Sequence, residues 1–197
     1  MRPRDNGLVV PVVLFHSVYG RRPAVLAAAD RLRAAGHAVT VPDLYAGPVA
    51  ATAEEGFALC DQVGWPVIMR RARQVLAGLP PQTALAGLSM GAAVAAALLG
   101  ERPGAAGLLL LHNTGSGDPQ AAVPGLRLQL HIADPDTYQS AAEVSAWHQG
   151  MTAVGAVVRV FRYPGAGHLF TDPGTPDHDG PAADLAWQRG ISFLSSR

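Results

Sequence analysis

Residues 83–100 read Thr-Ala-Leu-Ala-Gly-Leu-Ser-Met-Gly-Ala-Ala-Val-Ala-Ala-Ala-Leu-Leu-Gly, and this stretch decides the fold class. Thr83 to Leu88 is a short apolar run typical of a buried strand. Met90 to Leu99 is an alanine-rich run typical of a helix, which Gly100 is expected to end. A G-x-S-x-G pattern joins the two runs, and a sharp strand-to-helix turn of this kind lifts a serine hydroxyl above a sheet. The pattern therefore predicts a nucleophile at Ser89.

A second interpretation of this turn is that its serine only caps the helix. Capping accounts for Ser89, because serine is a preferred residue at a helix N-terminus. It does not account for a glycine on each side, at Gly87 and Gly91. Glycine removes the Cβ atoms that would clash in the tight turn around a nucleophile, and we therefore favour the nucleophile.

Strand-like and helix-like segments alternate along the whole chain. Most of the apolar runs are continuous, which indicates burial on both faces, as in a parallel sheet covered by helices. We therefore predict an α/β fold: a single doubly wound, mostly parallel sheet flanked by helices, without a large lid domain. The predicted strands are Leu8 to Phe15, His37 to Val41, Thr83 to Leu88, Ala105 to Leu111, Leu126 to Ile132 and Ala156 to Tyr163.

Helical spacing between these runs predicts five helices. Besides the run from Met90 to Leu99, the stripes are Val25, Ala28, Leu32 and Ala35, ended by Gly36; Val67, Arg71, Val75 and Leu79; Val144, Trp147, His148 and Met151; and Ala183, Trp187, Ile191 and Leu194, opened by Pro181.

Length and composition limit the kind of protein. A chain of 197 residues with 49% hydrophobic and 15% charged residues suits one domain over residues 1–197. The 15 basic and 15 acidic residues give zero formal net charge and form no long like-charge run. This composition argues against a nucleic-acid or anionic-membrane surface, and we expect a small-molecule substrate as the partner. It says nothing about the oligomeric state.

The cysteine content and the N-terminus favour a cytoplasmic location. A single cysteine, Cys60, excludes an internal disulfide and fits a reducing compartment. Residues 1–6 lead directly into a strand-like run without the apolar stretch of a secretory signal, and no window reaches transmembrane length. Cys60 is expected in a connecting segment without a neighbouring base, as a small buried hydrophobe.

A serine nucleophile needs a general base and a carboxylate that orients the base. In this fold they follow the serine in the order acid, then histidine, and lie beyond the carboxyl ends of the strands. His168 lies in a glycine-rich turn after the last predicted strand and is the predicted base; otherwise it is a loop histidine that caps the following turn. Asp134 and Asp136 both follow one strand, and spacing alone does not separate them.

Two backbone N–H groups are expected to bind the oxyanion of the reaction. One is that of Met90, directly after the nucleophile at the start of a helix. The other is expected in the loop after the first long strand, at Ser17 or Val18.

The other histidines are assigned weaker roles. His16, His112 and His131 end strands and could line the pocket or bond to nearby backbone. The pocket is favoured for His16, with His112 as a second candidate. His37 and His148 are expected to be structural or solvent-facing. No H-E-x-x-H, H-x-H or cysteine-pair spacing is present, and we expect neither a metal nor another cofactor.

The chain resembles the dienelactone hydrolase family of α/β-hydrolases over most of its length. Similar segments are Val13 to Gly20, Ala29 to Leu32 with Gly36 to Val39, the Pro-Asp-Leu-Tyr segment Pro42 to Tyr45, Gly87 to Gly91, and Tyr163 to Phe170. The resemblance implies an α/β-hydrolase fold and places the acid of the family on Asp136 rather than Asp134.

Two positions depart from the founding members of that family. Those members use a cysteine nucleophile where this chain has Ser89. They also carry a glutamate that holds the resting thiol, at the position matched by Ser17. Both departures favour general ester hydrolysis over the dienelactone reaction itself.

The leading hypothesis is a serine hydrolase that cleaves a small carboxylic ester or lactone through an acyl-enzyme intermediate. Ser89 attacks, His168 transfers the proton and Asp136 orients the imidazole. A thioesterase, an acyltransferase or a peptidase could use the same residues. The alternative from another class is a non-catalytic ligand-binding or sensing module on the same fold.

Overall fold

The structure, a computed structural model, describes residues 9–115 and 119–196. Residues 1–6 and Leu8, the predicted start of the first strand, lie outside these ranges. Each of the six predicted strands is present, and they form one sheet in the order β2-β1-β3-β4-β5-β6 with every neighbouring pair parallel. The strands are β1 Val12–Phe15, β2 Val39–Thr40, β3 Ala84–Leu88, β4 Leu108–Leu111, β5 Arg127–Asp134 and β6 Val157–Pro164.

The described residues also form six α-helices, and five of them match the predicted stripes. They are α1 Pro23–Ala34, α2 Ala53–Val63, α3 Trp65–Ala77, α4 Met90–Ala97, α5 Ala141–Ala153 and α6 Gly180–Ser195. None of them combines the length and apolar character needed to cross a membrane.

Helices cover both faces of the sheet, as the continuous apolar strands predict. Leu108 and Leu110 of β4 pack in the cluster formed with α3, α4 and α5. Leu109 and Leu111 point the other way and pack against α1 and α6. Because every residue of β4 is buried, the strand has no polar face and shows no alternation in its sequence.

Helix α2 was not predicted from the sequence. The segment around Cys60 was expected to be a connection, and this expectation was wrong. The Cys60 thiol packs from the helix against the edge of the core, and burial raises the pKa of that thiol. Only Gly56 of the helix is buried. Its other core-facing residues pack against the core at helical spacing but are only partly buried: Ala53, Leu59, Cys60 and Val63. The Thr52 side chain caps the helix by accepting a hydrogen bond from Glu55 N–H, a local signal that the sequence does contain.

Two helix details also differ from the prediction. The buried face of α3 carries Ile68, Ala72 and Leu76, one position beyond the predicted stripe. Helix α4 ends at Ala97, and a short 3₁₀ turn follows it, so Gly100 lies within this turn instead of ending the helix.

Candidate active site

The turn between β3 and α4 holds Ser89 in a conformation that few residues adopt. Its backbone angles are φ 52° and ψ −106°. A non-glycine residue at positive φ is strained by about 1–3 kcal/mol, and such strain is found at functional sites. The Ser89 N–H donates to Leu111 O of the neighbouring strand β4, at 2.8 Å, which fixes the turn to the carboxyl edge of the sheet.

Both glycines of the motif are required by close approach of backbone to backbone. A Cβ atom on Gly87 would overlap the Gly91 carbonyl, so the chain can return across the turn only if position 87 lacks a side chain. A Cβ atom on Gly91 would overlap Phe15 O and lie 2.6 Å from His16 O. The start of α4 is therefore packed directly against the end of β1.

The structure brings Ser89, His168 and Asp136 together in one chain of hydrogen bonds. Ser89 Oγ lies 2.9 Å from His168 Nε2. His168 Nδ1 lies 2.8 Å from Asp136 Oδ2 and 3.1 Å from Oδ1. Because the carboxylate accepts from Nδ1–H, Nε2 is left as the acceptor for the serine hydroxyl. This is the tautomer in which an imidazole can take a proton from serine.

The Asp136 carboxylate is oriented by its own turn. Its Oδ1 atom accepts hydrogen bonds from the N–H groups of Tyr138 and Gln139, at 2.8 and 3.0 Å, and the side chain is 1% exposed. Asp134, the other candidate acid, ends β5, and its carbonyl accepts from Gly165 N–H at 3.0 Å. The carboxylate at the His168 ring is that of Asp136.

Two residues that the sequence analysis missed hold the histidine loop. The Leu169 N–H donates to Asp177 Oδ2 at 3.0 Å, which ties the residue after His168 to the following loop. The Tyr138 ring meets the His168 ring edge-on, with centroids 4.6 Å apart. A local signal existed for Tyr138, because it lies two positions after the acid. Asp177 has none, since its contact depends on how the loop folds back.

The N–H groups expected to bind an oxyanion lie where the turn around Ser89 (residues 87–91, the elbow) meets β1. Met90 is the first residue of α4, where N–H groups lack an intrahelical acceptor. The N–H groups of Ser17 and Val18 make no hydrogen bond within the described part of the chain. Ser17 O accepts from Gly20 N–H, and this turn fixes the loop beside the N-terminus of α4.

His16 bonds to nearby backbone and does not line the pocket, which corrects the prediction for this residue. Its side chain is fully buried. Nε2 accepts from Leu44 N–H at 3.1 Å, and Nδ1–H donates to Ser17 O at 2.7 Å. Burial lowers the pKa of His16, so the ring is neutral and joins the Ser17 loop to the Pro-Asp-Leu-Tyr segment.

That segment is in turn joined to the elbow. Asp43 Oδ1 accepts from the N–H groups of Tyr45 and Ala46, which closes a tight turn. The Tyr45 hydroxyl then donates to Met90 Sδ at 3.3 Å. The segment therefore supports the nucleophile turn from the side of β1.

His112 is buried behind His168 and does not line an open pocket. Its Nε2 lies 2.7 Å from Thr171 Oγ1, and its ring packs edge-on against Phe170 with centroids 4.8 Å apart. The His168 ring lies 5.9 Å away. Burial holds the pKa of His112 well below its usual range, so the ring is a neutral support for the histidine loop.

Three further histidines, His37, His131 and His148, lie away from Ser89. His37 is buried and bonds to Val10 O and Ser195 Oγ, a structural role, and His148 is exposed on α5. His131 bonds to Gln129 and Tyr163 within the sheet. Across residues 9–115 and 119–196, no three His, Cys, Asp or Glu side chains are grouped as metal ligands would be.

Comparison with known proteins identifies the family to which this chain is similar. The model of the dienelactone hydrolase family matches residues 2–197. A search of curated proteins found no match.

Several solved structures share the fold at low sequence identity. A dienelactone hydrolase-like promiscuous phosphotriesterase from metagenomic libraries is 19% identical, with a TM-score of 0.74 over 97% of this chain and 87% of that chain. The protein m3DLH is 17% identical, with a TM-score of 0.76 over 97% and 88%. Esterase PE8 is 16% identical, with a TM-score of 0.64 over 98% and 96%. The match of the family model over nearly the whole sequence is decisive: the chain belongs to the dienelactone hydrolase family.

Proposed function

We propose that this protein is a serine hydrolase that cleaves a small carboxylic ester or lactone through an acyl-enzyme intermediate. One observation carries the proposal: the hydrogen-bonded sequence Ser89, His168, Asp136, with its serine on a strained turn at the carboxyl edge of the sheet. Membership of a family of hydrolases supports the reaction class.

The first half of the reaction forms the acyl-enzyme. His168 Nε2 takes the proton from Ser89 Oγ as the oxygen attacks the carbonyl carbon. Charge then develops on the carbonyl oxygen, where the N–H groups of Met90 and of Val18 or Ser17 would donate to it. Collapse of the tetrahedral intermediate breaks the bond to the leaving group, which receives the proton from His168.

The second half repeats these steps with water. His168 takes a proton from water, the hydroxide attacks the acyl carbon, and Ser89 leaves with the proton that the imidazolium returns. Asp136 stabilises the imidazolium in both halves and keeps Nδ1 protonated. Two turn N–H groups and the histidine donate to this carboxylate, which holds it in place beside Nδ1.

An aromatic rim beside the histidine supports a substrate with an apolar group. Tyr138 packs on His168 and is 52% exposed, and Phe57 of α2 lies next to it with ring centroids 5.9 Å apart. Exposed aromatic side chains beside a nucleophile offer apolar contact area to an ester. Ser17, in place of a glutamate suited to a thiol, supports ester cleavage in general.

The decisive experiment compares wild-type protein with Ser89→Ala on p-nitrophenyl acetate. We expect kcat/KM to fall by a factor of about 10⁴ or more, since neither nucleophile nor acyl-enzyme remains. Ser145→Ala, on the exposed face of α5, is the matched control and should retain full turnover. The unfolding temperature of each variant tests for intact folding.

A fluorophosphonate probe separates this proposal from a non-catalytic binding module. The probe should label Ser89 in folded wild-type protein and leave Ser89→Ala unlabelled. Unlabelled wild-type protein, or undiminished turnover by the variant, would favour the binding module. A parallel screen of short esters, lactones and thioesters then identifies the leaving group.

The single cysteine also supports a cytoplasmic location as part of the proposal. A chain with only Cys60 has no internal disulfide that a reducing compartment would break.

A further inference from the structure

A groove of about 810 Å³ lies between α6 and the first halves of β5 and β6. Arg127 and Gln129 contribute from β5, and Arg159 and Phe161 contribute from β6. The strands are parallel, and the residues around Ser89 lie beyond their opposite, carboxyl ends. This groove is therefore separate from the candidate active site.

Within residues 9–115 and 119–196, no carboxylate lines the groove to balance its positive charge. Three arginines line it, Arg127, Arg159 and Arg189. The Arg159 guanidinium makes no hydrogen bond or ion pair with any residue that the structure describes. Burial and the neighbouring Arg159 charge lower the pKa of Arg127, whose guanidinium donates to the carbonyls of Phe193 and Ser196.

The floor of the groove presents an unpartnered donor. Gln129 is 3% exposed, and its Oε1 accepts from His131 Nε2 at 2.9 Å. In this arrangement Tyr163 OH donates to the other ring nitrogen, His131 Nδ1, and the amide turns its NH₂ group away from the ring. The Gln129 NH₂ group then finds no acceptor within residues 9–115 and 119–196. The NH₂ nitrogen retains accessible surface, so it can donate to a ligand in the groove.

The walls of the groove are aromatic. The Arg189 guanidinium lies over the Phe161 ring at 4.3 Å from the centroid, and Arg127 lies over Phe193 at 4.8 Å. These contacts hold the guanidinium planes in place and leave aromatic surface beside them. The groove thus combines fixed cationic donors with apolar area.

We propose that this groove binds a small molecule that carries a carboxylate or phosphate group, held by Arg159 and the Gln129 amide, with an apolar body against Phe161. An acceptor-only anion satisfies donors that the protein leaves open, and guanidinium groups suit carboxylate and phosphate oxygens alike. The site is independent of the proposed esterase reaction.

Titration with two probes, sodium benzoate and inorganic phosphate, tests this proposal. Binding is followed by NMR from the side-chain signals of arginine Nε–H and glutamine NH₂, against sodium chloride at equal ionic strength. We expect saturable shifts with at least one probe. Saturation by benzoate alone assigns a carboxylate ligand, by phosphate alone a phosphate ligand, and by both a general oxyanion site.

The variant Arg159→Gln should weaken binding by about tenfold or more, because it removes a charge-assisted donor. Arg70→Gln, which removes an equal charge from the exposed face of α3, should bind as wild type does. Ser89→Ala should also bind normally, which separates this site from the catalytic one. Absence of saturable binding to wild type, or equal binding by Arg159→Gln with an unchanged unfolding temperature, would overturn the proposal.

Discussion

Two aspartates that follow one strand have different surroundings, and this difference decides which of them can orient His168. Spacing in the sequence left Asp134 and Asp136 equivalent, because both lie beyond the carboxyl end of β5. The turn separates them: the N–H groups of Tyr138 and Gln139 hold the Asp136 carboxylate against the imidazole. Such a turn depends on local hydrogen bonds that residue counting cannot resolve, although the family resemblance pointed to Asp136.

Replacement of each aspartate by asparagine tests this difference. Asp136→Asn should lower kcat by about 10⁴, because an amide N–H facing Nδ1 favours the wrong imidazole tautomer. Asp134→Asn should keep kcat within about twofold, because the part of Asp134 that bonds to the histidine loop is its carbonyl. Ester turnover and unfolding temperature are measured for both. A larger loss for Asp134→Asn would assign the acid to that residue.

At the level of helices and strands, the pattern of apolar residues along the sequence was the most reliable signal. Continuous apolar runs located the six strands and helical spacing located five of the helices, because both patterns follow directly from burial. Helix α2 was missed because its core-facing residues, among them Ala53, Cys60 and Val63, are small or only partly buried. Its start carries local signals, the Thr52 cap and the acidic residues Glu54 and Glu55 in the first turn. The face of α3 was displaced by one position because Arg71, counted in the stripe, bonds with its guanidinium to Leu44 O.

Gly91→Ala tests the contact between α4 and β1. Because the added Cβ would overlap Phe15 O, either α4 or β1 must shift, and we expect a loss of about 4 kcal/mol or more in unfolding free energy. Gly78→Ala is the matched control. A Cβ there meets nothing closer than 3.7 Å, so its stability should stay equal or rise slightly. Chemical denaturation of both variants provides the measurement, and equal stability would refute the close approach.

For the molecule as a whole, buried neutral histidines link stability to pH. Burial lowers the pKa of His131 from 6.5 to about 3. Below about pH 6.5 the unfolded chain binds a proton at this position that the folded chain does not bind until near pH 3. The contribution therefore leaves stability unchanged above pH 6.5 and reduces it progressively as the pH falls towards 3. His16 and His112 act in the same direction.

His131→Gln should flatten this dependence. Between about pH 4 and 5.5, the slope of unfolding free energy against pH should decrease by about 1.4 kcal/mol per pH unit, the value for one proton. The slope is the informative quantity, since loss of the bonds to Gln129 and Tyr163 lowers stability at every pH. His148→Gln, at an exposed position, should leave the slope unchanged. An unchanged slope in His131→Gln would mean that the folded protein protonates this ring.

Sequence reasoning placed Ser89, His168 and Asp136 at the correct edge of the molecule, because parallel strands bring their carboxyl ends together. It did not find Asp177 or the support from Tyr45, since these contacts join loops from distant parts of the chain. The same reasoning predicted that His16 lines the pocket. The ring is turned inward instead, by backbone partners that only the folded chain supplies.

Under the proposed mechanism, the order of the three residues along the chain sets when a newly made molecule can become active. Ser89 follows β3, Asp136 follows β5 and His168 follows β6, an edge strand of the sheet. A ribosome-bound chain that has emerged only as far as β5 carries Ser89 without His168. Such long-range parallel pairing forms slowly, since distant segments must meet before it is stabilised. The appearance of ester turnover during refolding would therefore report when β6 joins the sheet.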